Sequence, residues 1–328
     1  MTGNLLTKSA LAAAFALSTA VSAGAQQADQ PVKEAAIVVT TLGTGAPVLS
    51  PLRFSQSTLV EAGAHRLLFD AGRGAVVRLA QAGIQPSSVE HVFFTHYHFD
   101  HTIGFDDFWL SSWLPAGGAR SEALQVIGPT GAADLVAGLQ SAYADDIAIR
   151  IADQDLPQSG TEIEVTEFTE DGVVFDQGGV TVTAFAVNHG ELITPNFAYK
   201  IEYDGHSVVI SGDTQKDDRI IEMATGADLL LHEVGAARPE LAERPPIQKI
   251  LAHHTLPEEA GEVFAAAAPR LAAYTHLVLL GRPGIAPLSD AELIEATRAT
   301  YDGPLVVAED LMRFEIGDAG VNVVKFEE

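Results

Sequence analysis

The 328-residue sequence contains no cysteine. Disulfides, zinc–thiolate sites and thiol nucleophiles are thereby excluded together, so any metal centre must be assembled from imidazoles and carboxylates. Cations are scarce as well: 19 lysines and arginines stand against 44 aspartates and glutamates, a formal net charge of −25. Nucleic-acid binders normally carry a basic stripe that neutralises phosphates. No such stripe is visible, and no nucleic-acid partner is expected. Long apolar runs are missing too. Leu11–Val21 is apolar and Ala-rich but too short to span a bilayer comfortably, and no other segment could.

That run fits a secretory leader. Lys8 precedes it, and Ala23-Gly24-Ala25 offers a small-residue cleavage site before Gln26 and Gln27. The expected organisation is a signal peptide over residues 1–25, a short linker over 26–35 and one domain over 36–328. The mature protein is then periplasmic or secreted, with no membrane span once the leader is cleaved.

From about residue 36 apolar strands alternate with helices. Strands are predicted over Ala36–Thr41, Ser57–Ala62, Arg66–Phe69, His91–Thr95, Leu124–Ile127, Val173–Phe175, Val180–Ala186, Phe197–Tyr203 and Ser207–Ser211, and later over Leu271–Tyr274, Leu305–Ala308 and Val321–Phe326. Helices are predicted over Gly74–Ala82 and Gly131–Asp145. Thr255 with Glu258, and Ser289 with Glu292, each fit a capping box at the start of a later helix. Elements in this order predict an α/β fold of two sheets with helices outside, an αββα sandwich.

The strongest chemical signal is Thr95-His96-Tyr97-His98-Phe99-Asp100-His101, just past the predicted strand His91–Thr95. Alternate residues of an extended segment can point the same way, so His96 and His98 can grip one metal ion, with Asp100 and His101 free to grip a second. Burying four such groups together is costly unless a cation neutralises them. His189, Asp213 and His276 each follow another apolar run, where site residues of α/β proteins commonly stand. Trp109 and Trp113, four residues apart, share a helical face. They read as core, or as an aromatic wall for an aryl substrate. Arg282, in Gly281-Arg282-Pro283-Gly284, reads as a plain turn or as a contact for an anionic substrate, and Tyr97 and Phe99 as pocket-lining residues.

With these motifs the chain resembles the metallo-β-lactamase superfamily across essentially all of residues 36–317. The resemblance implies that His96, His98 and His189 hold one ion and Asp100, His101 and His276 the other, with Asp213 bridging. It implies two zinc ions, with manganese or iron as alternatives, and a supporting role for Asp70 in Leu68-Phe69-Asp70-Ala71-Gly72. Leu229-Leu230-Leu231-His232-Glu233-Val234 and His253-His254-Thr255 are similar to segments of ribonuclease Z, where the matching pair, here Glu233 and His254, assists protonation of the leaving group.

Three departures from ribonuclease Z are evident: the stretch from His189 to Asp213 is too short for a long tRNA-gripping arm, the charge is acidic, and a leader is present. The same motifs also occur in a secreted arylsulfatase group. The expected function is therefore an exported dinuclear zinc hydrolase of small sulfate esters or phosphodiesters. In it, Asp100 assists a hydroxide shared by the two ions, and His254 is the acid. A lactonase is the alternative, tRNA 3′ processing is less favoured, and a metal-binding protein without turnover is the non-enzyme reading. The expected partner is a small ester, and a homodimer is compatible with the sequence.

Overall fold

The structure, a computed structural model, describes residues 35–326, so the leader expected over 1–25 lies outside the described residues. The strands in chain order are β1 (Ile37–Gly43), β2 (Ser57–Ala62), β3 (His65–Phe69), β4 (His91–Phe93), β5 (Leu124–Pro129), β6 (Ile163–Phe168), β7 (Gly172–Gln177) and β8 (Val180–Ala186). They continue as β9 (Phe197–Tyr203), β10 (His206–Ile210), β11 (Leu229–Ala237), β12 (Leu271–Leu280), β13 (Leu305–Val307), β14 (Arg313–Gly317) and β15 (Gly320–Val324). Among the described residues they form an eight-stranded sheet in the order β15-β14-β1-β2-β3-β4-β5-β6 and a seven-stranded sheet in the order β13-β12-β11-β10-β9-β8-β7.

The two sheets repeat one plan. Each starts as an antiparallel meander, β1 to β3 and β7 to β10, and continues as parallel strands, β3 to β6 and β10 to β13. Gly178 and Gly179, at φ 59° and 82°, make the β7–β8 turn; two successive positive φ values suit a tight hairpin and are nearly free only for glycine. Parallel neighbours need crossovers, and helices supply them: Phe105–Trp113 between β4 and β5, Asp218–Ala224 between β10 and β11, Pro257–Ala267 between β11 and β12. The continuous apolar runs Leu229–Leu231 and Leu271–Ala273 are buried throughout, as strands covered on both faces must be.

Burial follows the layers. Val39, Val60, Phe69, Phe93, Val182, Tyr199 and Leu231 fill the space between the sheets. Phe105, Phe108 and Trp109 pack on Leu59, Val92 and Val126 outside the first sheet. Val263, Phe264 and Leu293 cover Leu230 and Ala272 outside the second. The result is a single αββα domain.

Three local differences from the sequence reading have physical causes. The helix predicted over Gly131–Asp145 divides at Tyr143 into Ala132–Ala142 and Ala144–Gln154. Asp145 and Asp146 belong to the first turn of the second helix, where acidic side chains meet the positive end of the helix dipole. The capping pair Thr255–Glu258 is displaced by one residue, because Pro257 takes the first helical position and Glu259 accepts the Leu256 N–H at 3.0 Å. The Ser289–Glu292 box forms as predicted. β12 runs on past Tyr274 to Leu280, through a shift in its pairing with β11.

Trp109 and Trp113 are wholly buried, and their indole N–H groups donate to the carbonyls of Thr161 (3.2 Å) and Pro157 (2.9 Å). They pin the helix Phe105–Trp113 to the segment that leads into β6, which corrects the aromatic-wall reading. Trp109→Ala is expected to lower stability by about 3–5 kcal/mol in a denaturant titration, with the metal content of the folded protein unchanged. A raised KM at full stability would instead place Trp109 at the substrate.

Candidate metal centre

The site begins where two neighbouring parallel strands end. Phe69 of β3 pairs with Phe93 of β4, so Asp70 and Thr95 emerge side by side. Asp70 takes a left-handed φ of 56°. Its Oδ1 accepts the Thr95 N–H at 2.9 Å, and its Oδ2 accepts the Thr95 hydroxyl at 2.9 Å and faces His101 Nδ1 at 2.7 Å. A histidine held this way at Nδ1 turns Nε2 towards a metal. His96 Nδ1 meets Thr95 Oγ1 at 3.0 Å, and His189, beyond the end of β8, meets the His253 carbonyl through Nδ1 at 2.8 Å.

The free ring nitrogens converge on Asp213, which follows β10. Asp213 Oδ2 stands 3.6 Å from His189 Nε2 and 3.9 Å from His96 Nε2; its Oδ1 stands 3.4 Å from His101 Nε2 and 3.3 Å from His276 Nδ1. His98 Nδ1 lies 3.0 Å from His96 Nε2, and Asp100 Oδ2 lies 3.2 Å from His276 Nε2. Two donor groups result, His96, His98, His189 and Asp213 on one side and Asp100, His101 and His276 on the other, each within 4.8 Å internally. Asp213 offers one oxygen to each, as a bridging ligand must.

The donors themselves test whether metal ions fit. His101 Nε2, His189 Nε2, Asp213 Oδ1 and His276 Nδ1 are buried with no hydrogen-bond partner, and they face one another. Such a concentration of unpaired polar atoms is explained by cations among them. Burial pushes His96 well below the ordinary imidazole range and His189 down to about 4, leaving neutral rings with lone pairs to donate. Burial alone would raise the Asp213 carboxyl, but His276, His101 and His96 around it hold it well below the usual carboxylate range. The set of nitrogen and oxygen donors without sulfur suits zinc, manganese or iron.

His276 sits within β12, not after it. Pairing between β11 and β12 runs His232↔Tyr274 and then Val234↔Leu277, so Glu233 alone faces both Thr275 and His276. This bulge puts His276 at φ 43° and aims its ring at Asp213. Glu233, opposite, is fully buried. Its Oε1 accepts the N–H groups of Thr214 (3.2 Å) and Thr255 (3.0 Å), and its Oε2 faces His254 Nδ1 at 3.2 Å. Burial works against charge on His254, but Glu233 outweighs it and lifts the ring to about 9. The His254 ring lies 5.1 Å from that of His189 and 5.9 Å from that of His276, so it overlooks both metal positions. Gly235 permits this, since a Cβ there would stand 2.7 Å from His254 Cβ.

The structure thus brings together His96, His98, Asp100, His101, His189, Asp213 and His276, with Asp70, Glu233 and His254 around them. Arg282 lies on an exposed turn closed by paired backbone bonds with Ile285. The Tyr97 hydroxyl is spent on the Pro129 carbonyl, while Phe99 is exposed beside the ligands. Thr95, Thr214 and Asn196 have supporting roles that the sequence reading missed. Asn196 Nδ2 donates to the carbonyls of Asp213 (2.9 Å) and Val187 (3.1 Å), a link between two loops with no local sequence signal.

A family model described as a beta-lactamase superfamily domain matches residues 65–277. A protein named ribonuclease Z from Mycobacterium bovis is 34% identical over 281 residues, which cover 85% of this chain and 98% of that relative. Among solved structures, the metallo-β-lactamase fold protein YhfI from Bacillus subtilis aligns with a TM-score of 0.65 at 20% identity, covering 84% of this chain and 98% of that one. The human short-form tRNase Z aligns with a TM-score of 0.64 at 20% identity, covering 85% of this chain and 99% of that one.

These matches correct the expectation of a small sulfate-ester or phosphodiester hydrolase with no nucleic-acid partner. The relatives at 34% identity bear the name of a ribonuclease. The short stretch between His189 and Asp213 does not set the chain apart from them, because the match spans 98% of the M. bovis protein and leaves little room for a long extra arm there. Net charge is a poor guide to the substrate here because it sums the whole surface, whereas a phosphodiester responds to the local field at the site.

Asp70→Asn is expected to weaken metal binding about 10–100-fold by removing the carboxylate that orients His101. Asp213→Ala should lose most of its metal outright. Titration of the metal-free protein with zinc checks both, and full occupancy of two ions in Asp213→Ala would refute the bridging assignment.

Proposed function

The chain belongs to the β-lactamase superfamily of metal-dependent hydrolases, alongside relatives named ribonuclease Z, and on that premise we propose that it is an endonuclease hydrolysing phosphodiester bonds in RNA, with 3′-extended tRNA precursors as its substrate. The observation that carries the reading is the buried Glu233–His254 pair poised over the seven-ligand centre, in a chain 34% identical to the M. bovis ribonuclease Z.

Two divalent ions, when bound, supply Lewis acidity towards the phosphate and an acidified water. The residues of the chain do the rest. Asp100 accepts a hydrogen bond from the attacking water and so orients it towards phosphorus. As the bond from phosphorus to the departing ribose oxygen breaks, His254 gives that oxygen a proton from Nε2, and solvent later restores it. Glu233 holds His254 Nδ1 at 3.2 Å and favours the charged ring, the form that can give a proton. Because Glu233 also fixes the backbone of Thr214 and Thr255, the acid is held in register with the ligand Asp213.

The metal-loaded protein should cleave a 3′-extended tRNA precursor to a discrete product. Failure to cleave with both ions in place would overturn the proposal. His254→Ala should slow RNA cleavage by about 10²–10⁴-fold, because a ribose alkoxide cannot leave unprotonated. It should slow hydrolysis of bis(p-nitrophenyl) phosphate far less, since nitrophenolate departs without a proton. Glu233→Gln should show the same contrast more mildly. Equal losses on both substrates would assign His254 to substrate positioning.

A further inference from the structure

At the opposite end of β4 the described residues gather a second kind of donor set. His65 opens β3, His91 opens β4, and Glu90 precedes it. One ring nitrogen from each histidine and one carboxylate oxygen of Glu90 lie within 4.8 Å of one another. The Nδ1 atoms of both histidines are buried and lack a hydrogen-bond partner, while Glu90 is exposed. Unpaired buried nitrogens of this kind call for a water or an ion.

The rings are held for the purpose. Both stand edge-on to Phe175 of β7, with centroids 5.2 Å and 4.9 Å away. Gly178, in the β7–β8 turn, lies so close that a Cβ there would stand 2.7 Å from His65 Nε2. His91 is buried, and its Nδ1 has no partner among the described residues. A cleft of about 510 Å³, lined in part by Glu90, His91, Glu122 and Gln125, gives access from solvent. The nearby cation Arg120 does not serve these histidines: its guanidinium donates to the carbonyls of Pro86 and Val89 and to the Ser112 hydroxyl.

We infer that His65, Glu90 and His91 form a separate zinc site, two imidazoles and a carboxylate with water completing a tetrahedron. It lies roughly 15 Å from the catalytic centre, the reach of five extended residues from His91 to His96. Its ion clamps the start of β3 to the start of β4, the two strands whose far ends deliver Asp70 and His96. The role is structural, and the site is independent of the nature of the substrate.

Zinc stoichiometry and anomalous diffraction at the zinc edge on the full chain test it. The wild type should hold about three ions, one of them giving a peak between His65 and His91. Asp213→Ala should lose the catalytic ions and keep that peak. His91→Gln should lose the third ion and keep the other two. Glu90→Gln, at an exposed position that spares the fold, should bind the third ion at least about tenfold more weakly and should gain less thermal stability from added zinc than the wild type does. A wild type with no zinc peak at His65 and His91 under zinc saturation overturns the proposal, as does equal zinc content in the wild type, His91→Gln and Glu90→Gln.

Discussion

A buried carboxylate shared between two clusters of imidazoles is the constraint on which this structure turns. Asp213 is almost inaccessible, and each of its oxygens is assigned to a different pair of histidines. Such a group is tolerable only with cations beside it, and the cations need every ligand within a few ångströms. That requirement is met where the ends of β3, β4, β8 and β10 and the middle of β12 converge on one point of the two packed sheets. The large apolar layer between the sheets fixes the strand ends, and the strand ends fix the ligands.

Two further carboxylates divide the supporting work. Asp70 serves a ligand, holding His101 by one ring nitrogen so that the other faces the metal position. Glu233 serves the proton donor, holding His254 in the same manner. Both are also tied to backbone, Asp70 to Thr95 and Glu233 to Thr214 and Thr255. Each therefore couples the direction of a histidine to the path of a catalytic loop, and neither can be removed without disturbing both.

The cluster His96–His101 could be read from the sequence because its ligands are adjacent and follow an apolar strand. His189, Asp213 and His276 could be read because each trails an apolar run. The bulge opposite Glu233 could not, since register between two parallel strands leaves no mark on either strand alone. β6 escaped for another reason: its burial alternates with exposed Glu164 and Glu167, giving no apolar run to detect. Trp109 and Trp113 were ambiguous because four-residue spacing is the same whether a helical face meets a core or a ligand. The choice of substrate was misjudged because the acidic balance of the whole chain was weighed above the Glu233 and His254 motifs, which lie at the chemistry itself.

The bulge in β12 also divides that strand into two mechanical halves. Before it, Leu271–Tyr274 pair with β11 inside the core; after it, Leu277–Leu280 pair with Val234–Ala237 and carry a small apolar cluster of their own, with Val278 and Leu280 packed on Ala46 and flanked by Ile247 and Leu251. Pairing resumes in a new phase past His276, so the outer half of β12 is packed by its own cluster, and the ligand stands at the joint between the two halves.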